Sequence, residues 1–308
     1  MRHRQTKAHI ALFLVNLIYG MNYVVAKGLM PGVIGPSGFI LLRVIGAVVL
    51  FWSVFAFRPQ RVDPSDLLRL VTCAFFGVAL NQLMFFHGLM RTTPINSSII
   101  MVTTPVLVLV LSAALLGERV TWTKVSGIVL GASGALTLIV IGRHEGDSGA
   151  SSLGDLFILM NATSYGLFLV IVKPLMRKYD AITVMAWCFL FGLVMVAPFG
   201  WSELNAVHWT ELDLPVRAAL LFVVVMVTFV AYLLNTWAMG VVEPSVVGSY
   251  IYLQPLLALG LTWLFVRFGD ARSGVIVVRT LDLGVVQGLS AFAIFLGVHM
   301  VGRKGATT

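Results

Sequence analysis

Ten stretches of about twenty apolar residues follow one another along this chain, and a helix of about 20 such residues is what crosses about 30 Å of hydrocarbon. The runs fall near 10–28, 37–57, 67–89, 95–116 and 123–141, then near 153–173, 182–200, 216–239, 245–266 and 281–301. Their ends carry stop signals at Pro31-Gly32, Gly35-Pro36, Arg58-Pro59, Thr93-Pro94, Gly117-Glu118 and Glu243-Pro244. Ten spans use about two-thirds of the chain, and the loops left over are too short to hold a separate soluble domain. Only 11% of the 308 residues are charged, against 59% hydrophobic. A soluble domain wets its surface with about 25% charged residues. Lipid is therefore the solvent for most faces, and the expected fold is an all-α integral membrane protein with ten transmembrane helices.

The net charge of +8 does not point to nucleic acid. Lys and Arg stand singly between apolar runs instead of gathering on one face, and flanking cations are what the positive-inside rule predicts. With the N-terminus inside, the cytoplasmic set is Arg2, Arg4, Lys7, Arg58, Arg61, Arg69, Arg119, Lys124, Lys173, Arg177, Lys178, Arg303 and Lys304, thirteen in all. The outer set is Lys27, Arg91, Arg143, Arg217, Arg267, Arg272 and Arg279, which is seven, and Arg43 lies within a span. Both termini are expected in the cytoplasm. Trp201 and Trp209 suit an aromatic belt at the outer interface. Cys73 and Cys188 fall inside apolar runs and read as small buried hydrophobes. The basic start, Met1 to His9, leads into a long apolar run with no A-x-A cleavage site, so it reads as a retained first span.

The sequence repeats itself. Tyr19, Gly20 and Lys27 recur as Tyr165, Gly166 and Lys173 at an offset of 146. Thr93-Pro94 followed by Thr104-Pro105 recurs as Glu243-Pro244 followed by Gln254-Pro255 at an offset of 150. The polar stretch 142–152 lies at the midpoint between the copies. The expected organisation is a first five-helix repeat over 1–142, a linker over 143–152 and a second repeat over 153–308. An odd number of spans per copy turns the second copy upside down. Inverted repeats are a transporter architecture, with substrate held near the midplane between the halves.

In this ordered set the chain resembles the drug/metabolite transporter superfamily and its EamA-type members. The carrying residues are Tyr19-Gly20 with Lys27, Phe39 to Arg43, and Gly88 to Ser98 running on to Thr104-Pro105, then Gly117-Glu118 with Gly127, Gly131 and Gly134. The second half repeats the theme from Tyr165 to Pro255 and resumes at Gly288. The second copy lacks the Gly-Glu turn and has a longer loop over Arg267 to Leu281 instead. The resemblance implies a carrier of small metabolites in the cell (inner) membrane, with some members similar to aromatic amino-acid exporters. It implies export or uptake of small metabolites; the expected function is export of an amino acid or related amphipathic compound by alternating access, with a multidrug-type efflux carrier, or a channel- or receptor-like membrane protein, as the alternatives.

On the first span Asn16, Tyr19, Gly20, Tyr23 and Lys27 share one helical face. A polar stripe on a span is expensive against lipid and belongs toward the bundle or a water-filled cavity. The repeat mate carries Tyr165 with Asn161 nearby. The third and eighth spans offer Asn81, Gln82 and His87, then Tyr232, Asn235 and Trp237, and the ninth offers Ser249 and Tyr252. Ser97 joins them from the Gly88–Ser98 motif. Aromatics with a few polar groups suit a cavity for an amphipathic small molecule, although the same residues also serve helix packing. Arg43 either snorkels to the interface or meets an anion. The resemblance carries an Arg here, which favours a structural role.

All thirteen acidic residues fall at or near span ends, so acid-driven exchange is not expected. His87 and Lys27 are the fallback coupling sites. The chain has no HExxH, G-x-S-x-G or P-loop, and its six histidines lack ligand spacing. No enzymatic role, cofactor or metal is expected, and no selectivity-filter-like segment argues for a channel. The expected partners are a small-molecule substrate and the lipid bilayer.

Overall fold

The computed structural model describes residues 2–92, 97, 100–141, 151–254, 256, 257, 260 and 285–302. These residues fold without a strand into ten helices. They are α1 (Arg2–Leu29), α2 (Pro36–Phe57), α3 (Pro64–Leu89), α4 (Thr104–Leu116) and α5 (Trp122–Ile141), then α6 (Ser152–Leu175), α7 (Ala181–Asn205), α8 (Leu214–Met239), α9 (Pro244–Ser249) and α10 (Val285–Gly302). Five of them, α2, α3, α6, α7 and α8, are long and apolar enough to cross a membrane. The side chains of Tyr23 and Lys27, the prolines Pro94 and Pro255, and the 267–281 loop lie outside the described residues.

Local chemistry sets the helix ends. Helices α2, α3, α4, α8 and α9 each carry Pro in the first turn, where its missing N–H costs nothing and its fixed φ is already helical. Asp63 caps α3 by accepting from the Ser65 N–H at 2.8 Å and the Ser65 hydroxyl at 2.7 Å. Those bonds hold its carboxyl below the usual carboxylate range. Gly117 ends α4 in the left-handed region at φ +66°, which a residue without Cβ enters freely. Both its N–H and that of Glu118 close on the Ser112 carbonyl. Helix α7 runs to Asn205, past the predicted break near 200, so Trp201 sits within the helix and is 60% exposed.

Helices at matching positions in the two halves pack on each other. The most extensive contacts join α2 to α7 and α5 to α10, while α1 lies on α8 as α6 lies on α3. Both mate pairs close through glycine, as small residues permit in lipid, where no hydrophobic force draws helices together. A Cβ on Gly127 would stand 2.7 Å from the Gly297 carbonyl oxygen, and one on Gly134 would stand 2.7 Å from that of Ser290. On the other pair, a Cβ on Gly38 would stand 2.9 Å from the Leu204 nitrogen, and one on Gly200 would meet the Ser37 carbonyl. These obstacles are backbone, which cannot swing aside.

The π-helical turns are also matched. Phe75–Ala79 interrupts α3 and Val223–Val230 interrupts α8. A π turn frees carbonyls from the regular ladder, and buried ones need partners. Ser164 donates to the Phe76 carbonyl at 2.6 Å, Tyr232 makes a longer contact with that of Gly77 at 3.4 Å, and Thr228 donates to that of Val223 at 2.8 Å.

Replacing Gly297 by Leu should push α10 off α5 and lower the thermal midpoint in detergent by several degrees, more than the same change at Gly288, where a Cβ meets none of the described residues within 4 Å. Equal effects at the two sites would show that close backbone approach does not hold this pair.

Candidate functional site

A cavity of about 110 Å³ lies inside the bundle, large enough for several waters or a small solute. Both halves supply its walls. Tyr19 and Asn22 come from α1, Arg43 from α2, and Asn81, Gln82, Phe85 and Phe86 from α3, with Met101 just before α4. Across from them stand Asn161 and Tyr165 of α6, Val227 and Tyr232 of α8, and Ile251 and Gln254 beyond α9. The π turns explain part of the lining. Asn81 and Gln82 follow the turn of α3 directly, Val227 sits within the turn of α8, and Tyr232 follows it.

The polar groups are held by a network that crosses the halves. Asn161 donates to the Asn81 carbonyl at 2.8 Å, and the Asn81 amide makes a longer 3.5 Å contact with the Asn161 carbonyl. Gln254 donates to the Asn16 side chain at 3.0 Å, and Asn16 itself donates to the Leu12 carbonyl. Asn235 donates to the Tyr165 hydroxyl at 3.1 Å. Arg43, 3% exposed, donates from Nε to the Thr228 hydroxyl at 2.9 Å. Its guanidinium lies 5.7 Å from the Phe39 ring centre and 5.2 Å from that of Phe86. Some amides stay unmet: both polar atoms of Gln82 and the side-chain oxygens of Asn22 and Asn161 have no partner among the described residues.

The residues singled out from sequence thus divide. Tyr19, Arg43, Asn81, Gln82 and Tyr165 line the cavity. Asn16 and Asn235 stand one layer behind, each fixing a residue that does. His87 lies outside the lining and shares a 2.8 Å hydrogen bond with Ser37. Ser249 bonds the Val246 carbonyl in its own turn. Tyr252 is buried beside Gly131, and Trp237 packs half-buried against the core. Ser97 is buried without a hydroxyl partner among the described residues, and the Tyr23 side chain lies outside them. Asn22 was within reach of sequence reasoning, since it stands three residues after Tyr19 on the same face. Phe85, Phe86, Val227 and Ile251 gave no signal, because an apolar residue on a span looks alike toward lipid and toward a cavity.

At the end of the bundle where α1 begins, a charged cluster ties α4 and α5 to α9. Lys124 Nζ lies 2.7 Å from Glu118 and 2.6 Å from Glu243, and Glu118 also accepts from Ser112 and Ser245. The Lys124 and Glu118 side chains are 6% and 3% exposed, that of Glu243 55%. Nearby, Lys173 donates to the Met239 and Val242 carbonyls, closing the last turn of α8. Among the described residues no group of His, Cys, Asp and Glu is placed to hold a metal ion.

A sequence profile of the EamA-like transporter family matches residues 6–140 and again 152–269. The chain belongs to the EamA-like transporter family. It is a multi-pass protein of the cell membrane and a transporter of the wider drug/metabolite superfamily, with a small-molecule substrate and the bilayer as its partners. It is 26% identical to the uncharacterized transporter YetK of Bacillus subtilis, over 86% of this chain and 81% of that one. An uncharacterized transporter of Archaeoglobus fulgidus is 24% identical over 97% of this chain and 99% of its own. A probable terminal-alkyne amino-acid exporter of Streptantibioticus cattleyicolor is 25% identical over 88% of this chain and 85% of its own. A solved crystal structure, 18% identical, superposes with a TM-score of 0.72 over 96% of each chain, a likeness of fold alone.

Lys124→Ala strands the Glu118 carboxylate and should cost this EamA-like protein about 3 kcal/mol of stability. Glu243→Ala, which removes the exposed partner, should cost under about 1 kcal/mol. Chemical unfolding in micelles checks the pair, and equal losses would contradict this ranking.

Proposed function

We propose that this transporter exports a small amphipathic metabolite, an amino acid or a related compound, by alternating access. One observation carries the reading: a single cavity is walled by side chains from both halves of the chain, with amides and one cation set among aromatic rings. Binding energy for a flat apolar body comes from the rings, and orientation comes from the few polar groups. The relative named as an amino-acid exporter supports the substrate class.

In this reading the ten spans form two inverted five-helix repeats, over 1–142 and 153–308, with both termini in the cytoplasm. Support comes from the paired family matches, from the mate-on-mate packing of α2 with α7 and α5 with α10, and from the loop cations. Rocking of one half against the other then carries the site from face to face. Under this orientation the Glu118–Lys124–Glu243 cluster lies on the cytoplasmic side of the cavity. The chain acts as a carrier, with no catalytic step and no cofactor.

Among the described residues the cavity lining holds no carboxylate, the group that proton- and sodium-coupled carriers commonly place in the membrane. Transport therefore runs down the substrate's own gradient or by exchange. Counter-flow into proteoliposomes preloaded with amino acids and related metabolites tests this. Saturable, trans-stimulated uptake of one class is expected, with its rate unchanged when the proton gradient is collapsed. Flux that never saturates would contradict a carrier, and strict dependence on the proton gradient would contradict the uncoupled mechanism.

A further inference from the structure

We propose that Arg43 is an anion anchor, so that the transported compound must carry a carboxylate whether or not it carries an amine. The proposal rests on the transporter reading and narrows its substrate class. Arg43 is buried, yet no carboxylate pairs with it among the described residues, whose ion pairs involve Lys124 and Lys178. Among the described residues its surroundings are one hydrogen bond to Thr228, two aromatic faces and the nearby phenols of Tyr19 and Tyr232, none of them a carboxylate. Thr228 spends its own proton on the Val223 carbonyl, so its oxygen is free to accept from Nε and adds no negative charge. A buried charge is costly unless it is paired. Guanidinium carries five N–H donors in a planar fork that matches a carboxylate with two parallel bonds. Among the described residues Nε alone donates a hydrogen bond.

A second observation points the same way. Gln82, Asn22 and Asn161 are 2%, 8% and 3% exposed, and their unpartnered amide atoms belong to residues lining the same cavity. These groups are neutral. They can meet an amine, a hydroxyl or a carbonyl of the solute, and none requires a positive charge. The only formal charge in the described lining is therefore positive, and in a low-dielectric site it repels a compound that is purely cationic. Tyr19, Phe85 and Tyr165 supply ring surface for the remainder of the solute.

The test is ligand binding to the full chain in detergent, read as the shift in thermal midpoint with 3-phenylpropionate, phenylalanine or phenethylamine. Ligand that binds the folded state raises the midpoint. The two carboxylates should do so and phenethylamine should not. Arg43→Gln should abolish the carboxylate shift. Arg43→Lys, which keeps the charge but loses the fork, should weaken binding at least about tenfold. The comparison of three ligands on the unaltered protein holds even where a variant misfolds. A shift with phenethylamine equal to that with the carboxylates, no shift with either carboxylate, or an undiminished shift in folded Arg43→Gln would overturn the anchor. Counter-flow of a compound lacking carboxylate would also overturn it while leaving the transporter reading intact. Carboxylate binding without any counter-flow would uphold the anchor and count against the transport mechanism.

Discussion

Inside about 30 Å of hydrocarbon no water is at hand to satisfy an amide or a hydroxyl, and that shortage arranges most of what is polar in this bundle. The π turns of α3 and α8 release carbonyls, and Ser164, Tyr232 and Thr228 reach them from neighbouring or same-helix positions. Lys173 closes the last carbonyls of α8. Asn81 and Asn161 reach across to each other's backbone. Eight buried side-chain polar atoms have no partner among the described residues, and four of them belong to Asn22, Gln82 and Asn161. Half of the polar capacity left over in hydrocarbon thus lies around one cavity, which makes that cavity a place for a polar ligand.

The same solvent explains how the helices meet. Apolar side chains gain little from leaving lipid tails for one another, so association relies on close contact and hydrogen bonds. Gly127, Gly134 and Gly297 bring α5 and α10 to backbone distance, and Gly38 and Gly200 do so for α2 and α7. Each pair joins one helix from each half. The halves are thus held together along two tight seams, with the cavity walled by both. Seams of this kind can act as pivots, whereas the charged cluster of Glu118, Lys124 and Glu243 links α4 and α5 to α9 through side chains that can part.

Much of this was legible in the sequence, and the rest was hidden for physical reasons. The positions of α2, α3, α6, α7 and α8 follow from apolar run length, because lipid fixes how long a run must be. The polar stripe of the first span led to Tyr19, and the repeat of Tyr-Gly led to Tyr165. Asn16 and Asn235 belonged to the same pattern, yet they stand behind the lining and hold Gln254 and Tyr165 in place. That difference depends on which helix lies opposite, a long-range fact that spacing does not carry. The π turns were invisible to a 3.6-residue period and shift the face that follows them. Arg43 reads as structural by resemblance; that no carboxylate among the described residues pairs with it depends on its neighbours in space, which the sequence pattern does not carry.

Alternating access requires that one cavity between the halves be exposed in turn to each side of the membrane. The most direct test is reaction of a cysteine placed at Met101, which lines that cavity, after the buried Cys73 and Cys188 are replaced by alanine. An impermeant maleimide is applied to right-side-out and to inverted vesicles. Labelling from both faces, slowed in each case by a transported solute, is the result predicted. Labelling from one face alone, or from neither in folded protein, would contradict alternating access through this site.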